Sequence, residues 1–376
     1  MELEFTAEQE ELRDGVRAML TRECPMSFVR GIVEGDADAD GLWKQMCELG
    51  WPALTISEAH GGLGRGAVEL AVVVEELGRV VAPGPFVPTL TQFVPAVRAV
   101  GSAEQQARFL APVAEGALTG ALALSEGAHG IDLARVTTTA TRTAGHWTLA
   151  GRKTGVLGAD LADELVVVAR VDGVAGDDGV GAFVVPANDV VVESWAAMDA
   201  TRGLATVLLD DVAIDTDRAL GEPGPATASA LRDALDEAVV ALALESVGTS
   251  QTIFDVTLEY AKQREQFGVP IGSFQAIKHK LADMLVALER ARATGYFAAL
   301  AISEGDERGR AASSTAKIAA ADCQRLLAKE GIQIHGGIGY TWEHDMHLFV
   351  RRVKTDAQLL GTEAEHKARL ASLLLD

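Results

Sequence analysis

Val136-Thr137-Thr138-Thr139-Ala140-Thr141 is a stretch that a helix accommodates poorly. Branching at Cβ restricts χ1 against the preceding helical turn, whereas the same side chains stand freely on a pleated strand. It opens a series: Trp147–Leu149, Glu164–Val171, Gly181–Val185, Val190–Val192 and Ala205–Leu209 follow, separated by Gly, Asp and Asn turn signals. Strands so closely spaced, with no helix between them, predict an antiparallel sandwich or barrel.

Outward from this centre the texture becomes helical on both sides. From Thr6 to Gly120, Thr6 with Gln9 and Ser102 with Gln105 form capping-box pairs, and Leu70, Val73, Val74 and Leu77 recur at helical spacing. From Pro225 onward the predicted helices are long. One covers Thr227–Gln266, a second begins near Ser273 and carries Ile277, Leu281, Leu285 and Leu288 on one face, and a third covers Ala311–Lys329. A last helix begins at Thr362, which pairs with Glu365 as a capping box. The expected architecture is α+β in three domains: an N-terminal helical domain (1–120), a β-domain (121–222) and a C-terminal four-helix bundle (223–376).

Composition narrows the function. The 376 residues carry 33 Lys+Arg against 54 Asp+Glu, a net charge of −21, which repels nucleic-acid phosphates and anionic lipid surfaces. Neither nucleic acid nor membrane is therefore an expected partner, and an anionic substrate needs a local basic pocket. Cys24, Cys47 and Cys323 are scattered and odd in number, which favours reduced thiols. With an acidic opening, Met1-Glu2-Leu3-Glu4, in place of a secretory leader, the expected location is the cytoplasm.

Familiar nucleotide and metal motifs are absent. There is no GxxxxGK[ST], and no GxGxxG between a strand and a helix; Gly61-Gly62-Leu63-Gly64-Arg65-Gly66 joins helical segments and reads as a structural turn. His344 and His347 share a spacing but lack a third ligand nearby in sequence, so no metal site is expected. Two segments of the C-terminal region are more suggestive. Arg264-Glu-Gln-Phe267-Gly268 ends a long helix with a guanidinium, which can grip a phosphate bidentately, although a solvated Arg is the commoner case. Gln333-Ile-His-Gly336-Gly337-Ile-Gly339-Tyr340 offers an amide and glycines that let backbone approach a ligand, or else a helix cap followed by a loop.

Together with the opening Phe5-Thr6-Ala7-Glu8-Gln9 and the downstream Phe274-Gln275, these segments resemble the flavin-dependent acyl-CoA dehydrogenase family over nearly the whole chain. The resemblance implies FAD lying between β-domain and bundle, with its adenosine diphosphate half crossing a dimer interface. It places Arg264, Phe267, Gln275, Gln333, Gly336 and Gly337 on that half, and Ser125 and Thr362 also among the cofactor contacts. It further implies an acyl-CoA substrate, an acceptor of the electron-transfer flavoprotein type, and a homodimer or homotetramer, with a hetero-oligomer as the variant. The reaction takes a proton α to the thioester carbonyl onto a carboxylate while flavin N5 accepts a hydride from the β carbon.

Three departures stand out. The family's Thr-Glu-Pro and Gly-Ser-Asp become Ser125-Glu126-Gly127 and Gly130-Ile131-Asp132, and its Trp-Ile-Thr falls on Gly155-Val156-Leu157, which removes an indole and a hydroxyl. The loss of the indole suggests room for a bulky acyl group. Leu360 stands where many members carry the catalytic Glu before Gly-Thr. Two bundle-helix carboxylates are then candidate bases: Glu245, preferred because its apolar surroundings would raise its pKa, and Glu237 as the alternative. A cation on a neighbouring helix would instead make Glu245 structural. The favoured expectation is a dehydrogenase with a relocated base; the other is a catalytically silent subunit that completes the FAD site of a second family member.

Overall fold

The structure is a computed structural model that describes residues 5–127, 130–143 and 145–375. The N-terminal helices are α1 (Ala7–Glu23), α2 (Met26–Glu34), α3 (Asp40–Glu48), α4 (Ala67–Arg79), the short α5 (Phe86–Pro88), α6 (Val94–Val100) and α7 (Ala103–Ala114), with a π-helical turn at Thr89–Phe93. Both capping boxes form here: Thr6 Oγ1 accepts from the Gln9 amide at 3.2 Å and Ser102 Oγ from the Gln105 amide at 3.3 Å.

Eight strands make the central sheet: β1 (Gly120–Ala123), β2 (Thr139–Thr143), β3 (His146–Leu157), β4 (Glu164–Val171), β5 (Val180–Pro186), β6 (Val191–Ser194), β7 (Leu204–Asp215) and β8 (Ala219–Leu220). Their order is β6-β7-β3-β2-β4-β5-β8, with β1 beside β4. Most pairings are antiparallel; β4 meets β1 and β2 in parallel. The Val136–Thr141 run enters the ladder only at Thr139, because the Glu126 carboxylate takes the amides of Thr137 and Thr138 at 2.6 and 2.8 Å. Strand β1 carries no sequence signal of its own: Gly-Ala-Leu-Ala is buried throughout, so it neither alternates nor branches.

The C-terminal helices are α8 (Pro225–Gln263), α9 (Gln275–Ser303), α10 (Gly309–His335), α11 (Met346–Asp356) and α12 (Glu363–Leu375). A hairpin of β9 (Glu265–Gln266) and β10 (Val269–Pro270) separates α8 from α9. Helix α10 continues six residues beyond the expected Lys329 and stops where Gly336 takes φ 64°. No helix among the described residues is long and apolar enough to cross a membrane.

Backbone-to-backbone contact joins the N-terminal domain to the bundle. A Cβ on Gly78 of α4 would stand 1.9 Å from the Glu245 carbonyl oxygen, and one on Gly248 of α8 would stand 1.8 Å from the Glu75 carbonyl oxygen. The two helices touch only because both positions lack a side chain. Gly248→Ala is therefore expected to cost about 3 kcal/mol through overpacking, read as a lowered denaturation midpoint. An unchanged midpoint would show that α4 and α8 separate freely.

Candidate active site

A cavity of about 540 Å³ opens between the β-domain and the C-terminal helices. On the sheet side it is walled by Leu122, Leu124, Ser125 and Thr154–Leu157, and on the bundle side by Lys354, Thr355 and Gln358–Leu360, with Thr362 and Glu365 beyond. This is where the departures from the family pattern gather. Leu360, which the sequence resemblance sets against the family carboxylate, takes the left-handed φ of 52° that a branched side chain rarely adopts.

The space expected from the missing indole is partly filled. Trp195, from the segment between β6 and β7, lies over Gly155, its ring 3.6 Å from where a Cβ would stand, and its Nε1 donates to Thr206 at 2.8 Å. Nothing in sequence signals this substitution, because the replacement comes from a segment 40 residues downstream of the motif position. Ser125 does line the cavity, with its hydroxyl donating to the Gly127 carbonyl at 3.3 Å. Its neighbour Glu126 turns away from the cavity to the fully buried ammonium of Lys153, 2.6 Å distant. The pair perturbs both groups. Burial pulls Lys153 down to about 8. Glu126, despite burial raising its value, is brought to about 2 by Lys153 and the two threonines.

Neither candidate base reaches the cavity. Glu245 is completely buried within α8: Oε1 accepts from Arg352 at 2.8 Å and Oε2 from Arg202 at 2.7 Å. The same two guanidiniums hold Asp199 at 2.6 Å and Asp356 at 2.9 Å, while Lys317 donates to the backbone carbonyls of Asp356 and Leu359 at 2.6 and 2.8 Å. Arg352 also reaches the Val81 carbonyl at 3.0 Å, so this ionic core ties all three domains together. Fully buried outside the cavity, with an arginine on each oxygen, Glu245 is placed as a member of the ionic core. Glu237 pairs with Arg98 of α6, away from the cavity. Among the described residues the one carboxylate in the cavity lining is Glu365.

The predicted adenosine-side residues lie together elsewhere. Arg264 follows the last turn of α8, Phe267 stands 93% exposed at the tip of the β9–β10 hairpin, and Gln275 begins α9. The end of α10 joins them: Tyr260 stacks on His335 at 4.4 Å, which brings Gln333, Gly336 and Gly337 to the same end of the bundle. Among the described residues the side chains of Arg264, Gln275 and Gln333 make no hydrogen bond or ion pair, and Cβ atoms on Gly336 and Gly337 would meet nothing within 4 Å. Open backbone and unengaged donors suit an anionic, heterocyclic ligand half. Nearby His344 and His347 turn to different partners, one edge-on to His335 at 4.8 Å and the other stacked on Trp342 at 4.7 Å.

The cavity hangs on the opposite end of α8, since α12 is anchored there by Arg369 to Asp236 at 2.6 Å. At 1.5 Å per residue, Asp236 and Gln263 are roughly 40 Å apart. One chain therefore cannot bring its own bundle end to its own cavity.

His366 fixes the cavity's bundle wall. Its Nε2 donates to the Leu360 carbonyl at 2.8 Å, which requires a proton on that nitrogen, and Nδ1 accepts from Ser314 at 3.3 Å. Burial, ahead of the neighbouring charges, lowers its pKa to about 4. The folded chain thus binds fewer protons than the unfolded chain between about pH 6.5 and 4, so this contribution is whole above 6.5 and is lost on acidification. Acid loosening of α12 across that window is expected, by up to about 3 kcal/mol, and His366→Asn should flatten it in a pH series of thermal melts. An identical pH profile in the variant would contradict this.

Comparison with known proteins covers the whole chain. Residues 6–117, 121–214 and 228–375 match the family models described as the acyl-CoA dehydrogenase N-terminal, middle and C-terminal domains. Acyl-CoA dehydrogenase IpdE2 of Mycobacterium tuberculosis is 33% identical across 97% of this chain and 96% of its own. The solved butyryl-CoA dehydrogenase of Megasphaera elsdenii superposes with a TM-score of 0.93 at 26% identity, covering 100% of both chains. A chain of the ChsE4-ChsE5 complex from Mycobacterium tuberculosis superposes at 0.89, with 25% identity over 100% of this chain and 99% of that one.

Proposed function

This chain belongs to the acyl-CoA dehydrogenase family, and from that premise we propose that it serves the family's reaction as the supporting half of a mixed oligomer. The reaction is α,β-dehydrogenation of an acyl-CoA thioester, and the family uses FAD. In this reading the chain lends its bundle end to the cavity of a second, catalytic family member. Arg264 grips the diphosphate, Gln333 and the Gly336–Gly337 backbone meet the adenosine half, and Gln275 with the exposed Phe267 hairpin completes the seat. FAD bound there supplies the two-electron acceptor. The catalytic chain contributes the base, and the electrons leave to an acceptor of the electron-transfer flavoprotein type.

The observation that carries the reading is the division of the chain. Its adenosine-side donors are unengaged and exposed, whereas its own cavity has Leu360 where the resemblance would put the base, and both bundle carboxylates lie outside it, bound to arginines. The branch it would belong to is the one lacking the Glu before Gly-Thr. The resemblance of its fold to a chain of a two-name complex accords with a mixed assembly. The domain division at 120 and 222 is part of the same proposal, with the 121–222 unit acting as scaffold and lid.

Flavin content tests it. A complex co-purified with a second family member carrying intact flavin-side motifs is expected to hold one FAD for every two chains. Two FAD per pair would contradict the proposal and return the chain to the self-sufficient class.

A further inference from the structure

Thr362 caps α12, and Glu365 closes the cap from inside. Glu365 Oε2 accepts from the Thr362 amide at 2.7 Å and from its hydroxyl at 2.9 Å, and the Glu365 amide donates back to Thr362 Oγ1 at 3.3 Å. The other oxygen, Oε1, points across the gap to the β-domain: a Cβ on Gly130 would stand 2.8 Å from it. The carboxylate thus fills the space between α12 and the turn at Gly130, on the wall shared by the 540 Å³ cavity and its 510 Å³ neighbour.

The first amides of a helix and an adjoining hydroxyl are the donors a phosphate seeks. Here an internal anion already holds the Thr362 amide and hydroxyl at the head of the helix, and Thr362 Oγ1 takes the Glu365 amide. Among the described residues the cations of the helix turn elsewhere: Arg369, one turn on, is committed to Asp236 through both terminal nitrogens at 2.6 and 2.8 Å, and Lys367 pairs with Glu363. Among the described residues Lys354 is the only cation in the cavity lining.

We infer that Glu365 is a built-in occupant of the diphosphate seat, closing this chain's own cavity to a dinucleotide. A diphosphate entering beside it competes for the Thr362 donors and meets a like charge in a partly dry site. This deepens the supporting-half reading, on which it rests: Glu365 closes the seat in addition to the departures at Leu360 and Gly155.

The test uses the mixed complex already loaded with one FAD per pair, titrated with further FAD and followed by flavin fluorescence. Glu365→Gln keeps an acceptor for the Thr362 amide while removing the charge, and is expected to bind the second FAD at least tenfold more tightly than the unaltered complex. Glu365→Ser serves as the second variant should the first fail to assemble. A second-site affinity within twofold of the unaltered complex overturns the inference and leaves the supporting-half reading standing. Two tightly held FAD in the unaltered complex overturn both.

Discussion

Arg264→Ala in this chain is expected to strip FAD from the mixed complex, lowering its affinity roughly a hundredfold. A bidentate guanidinium–phosphate pair is charge-assisted on both sides, and its removal typically costs about 2–3 kcal/mol, with each 1.4 kcal/mol a factor of ten. The effect should fall on the cofactor alone. Arg264 is exposed at the end of α8 and bonds through its side chain to nothing among the described residues, so the variant should melt with the native complex once both are stripped of flavin. What makes the experiment informative is its asymmetry. The equivalent arginine of the catalytic chain would face this chain's cavity, so its replacement should leave the flavin in place. Equal losses from both substitutions would mean that both cavities carry cofactor.

Glu245→Ala should instead act on the fold. It leaves the guanidiniums of Arg202 and Arg352, both deeply buried, without one of their carboxylates. Breaking a buried pair by removing one partner typically costs 3–5 kcal/mol, because the remaining charge stays desolvated. For a chain of this size that corresponds to a melting point lower by about 5–10 °C. Glu245→Gln separates the structural role from a catalytic one. A base replaced by its amide would abolish turnover in a protein of native stability; a member of the ionic core replaced so should lower the melting point and leave the turnover of the surviving folded complex within a few-fold. Asp356, raised to about 6 chiefly by burial, belongs to the same core. Its folded value lies above the unfolded one, so Asp356 opposes folding as pH rises through that interval, and its removal should be milder than that of Glu245.

The fold was largely legible because its signals are local. Glu164–Val171 is a strand at the residues where alternation and branching place it, and the long apolar-faced helices begin within two residues of where they were expected. Strand β1 escaped because a fully buried Gly-Ala-Leu-Ala segment has no period, and the end of α10 escaped because glycines inside a helix look the same as glycines after one. Of the proposed site, only the exposed end rests on signals that are local in sequence. Arg264, Gln275 and Gln333 sit in short motifs that keep their neighbours, whereas the cavity depends on residues far apart in sequence. Trp195 covers Gly155 from another strand connection, and Arg202 and Arg352, 43 and 107 residues from Glu245, decide what that carboxylate does. An apolar stretch around a Glu argues for a perturbed carboxylate; only the fold says which cations meet it.

On the supporting-half proposal this chain lacks a working flavin cavity of its own, and the visible absorption spectrum tests that most directly. The chain purified alone should be colourless and should show no change on anaerobic addition of acyl-CoAs of varied chain length and shape. Co-expressed with a second family member, it should emerge in a yellow complex that one of those thioesters bleaches. A yellow protein from this chain alone, bleached by any acyl-CoA, would contradict the account.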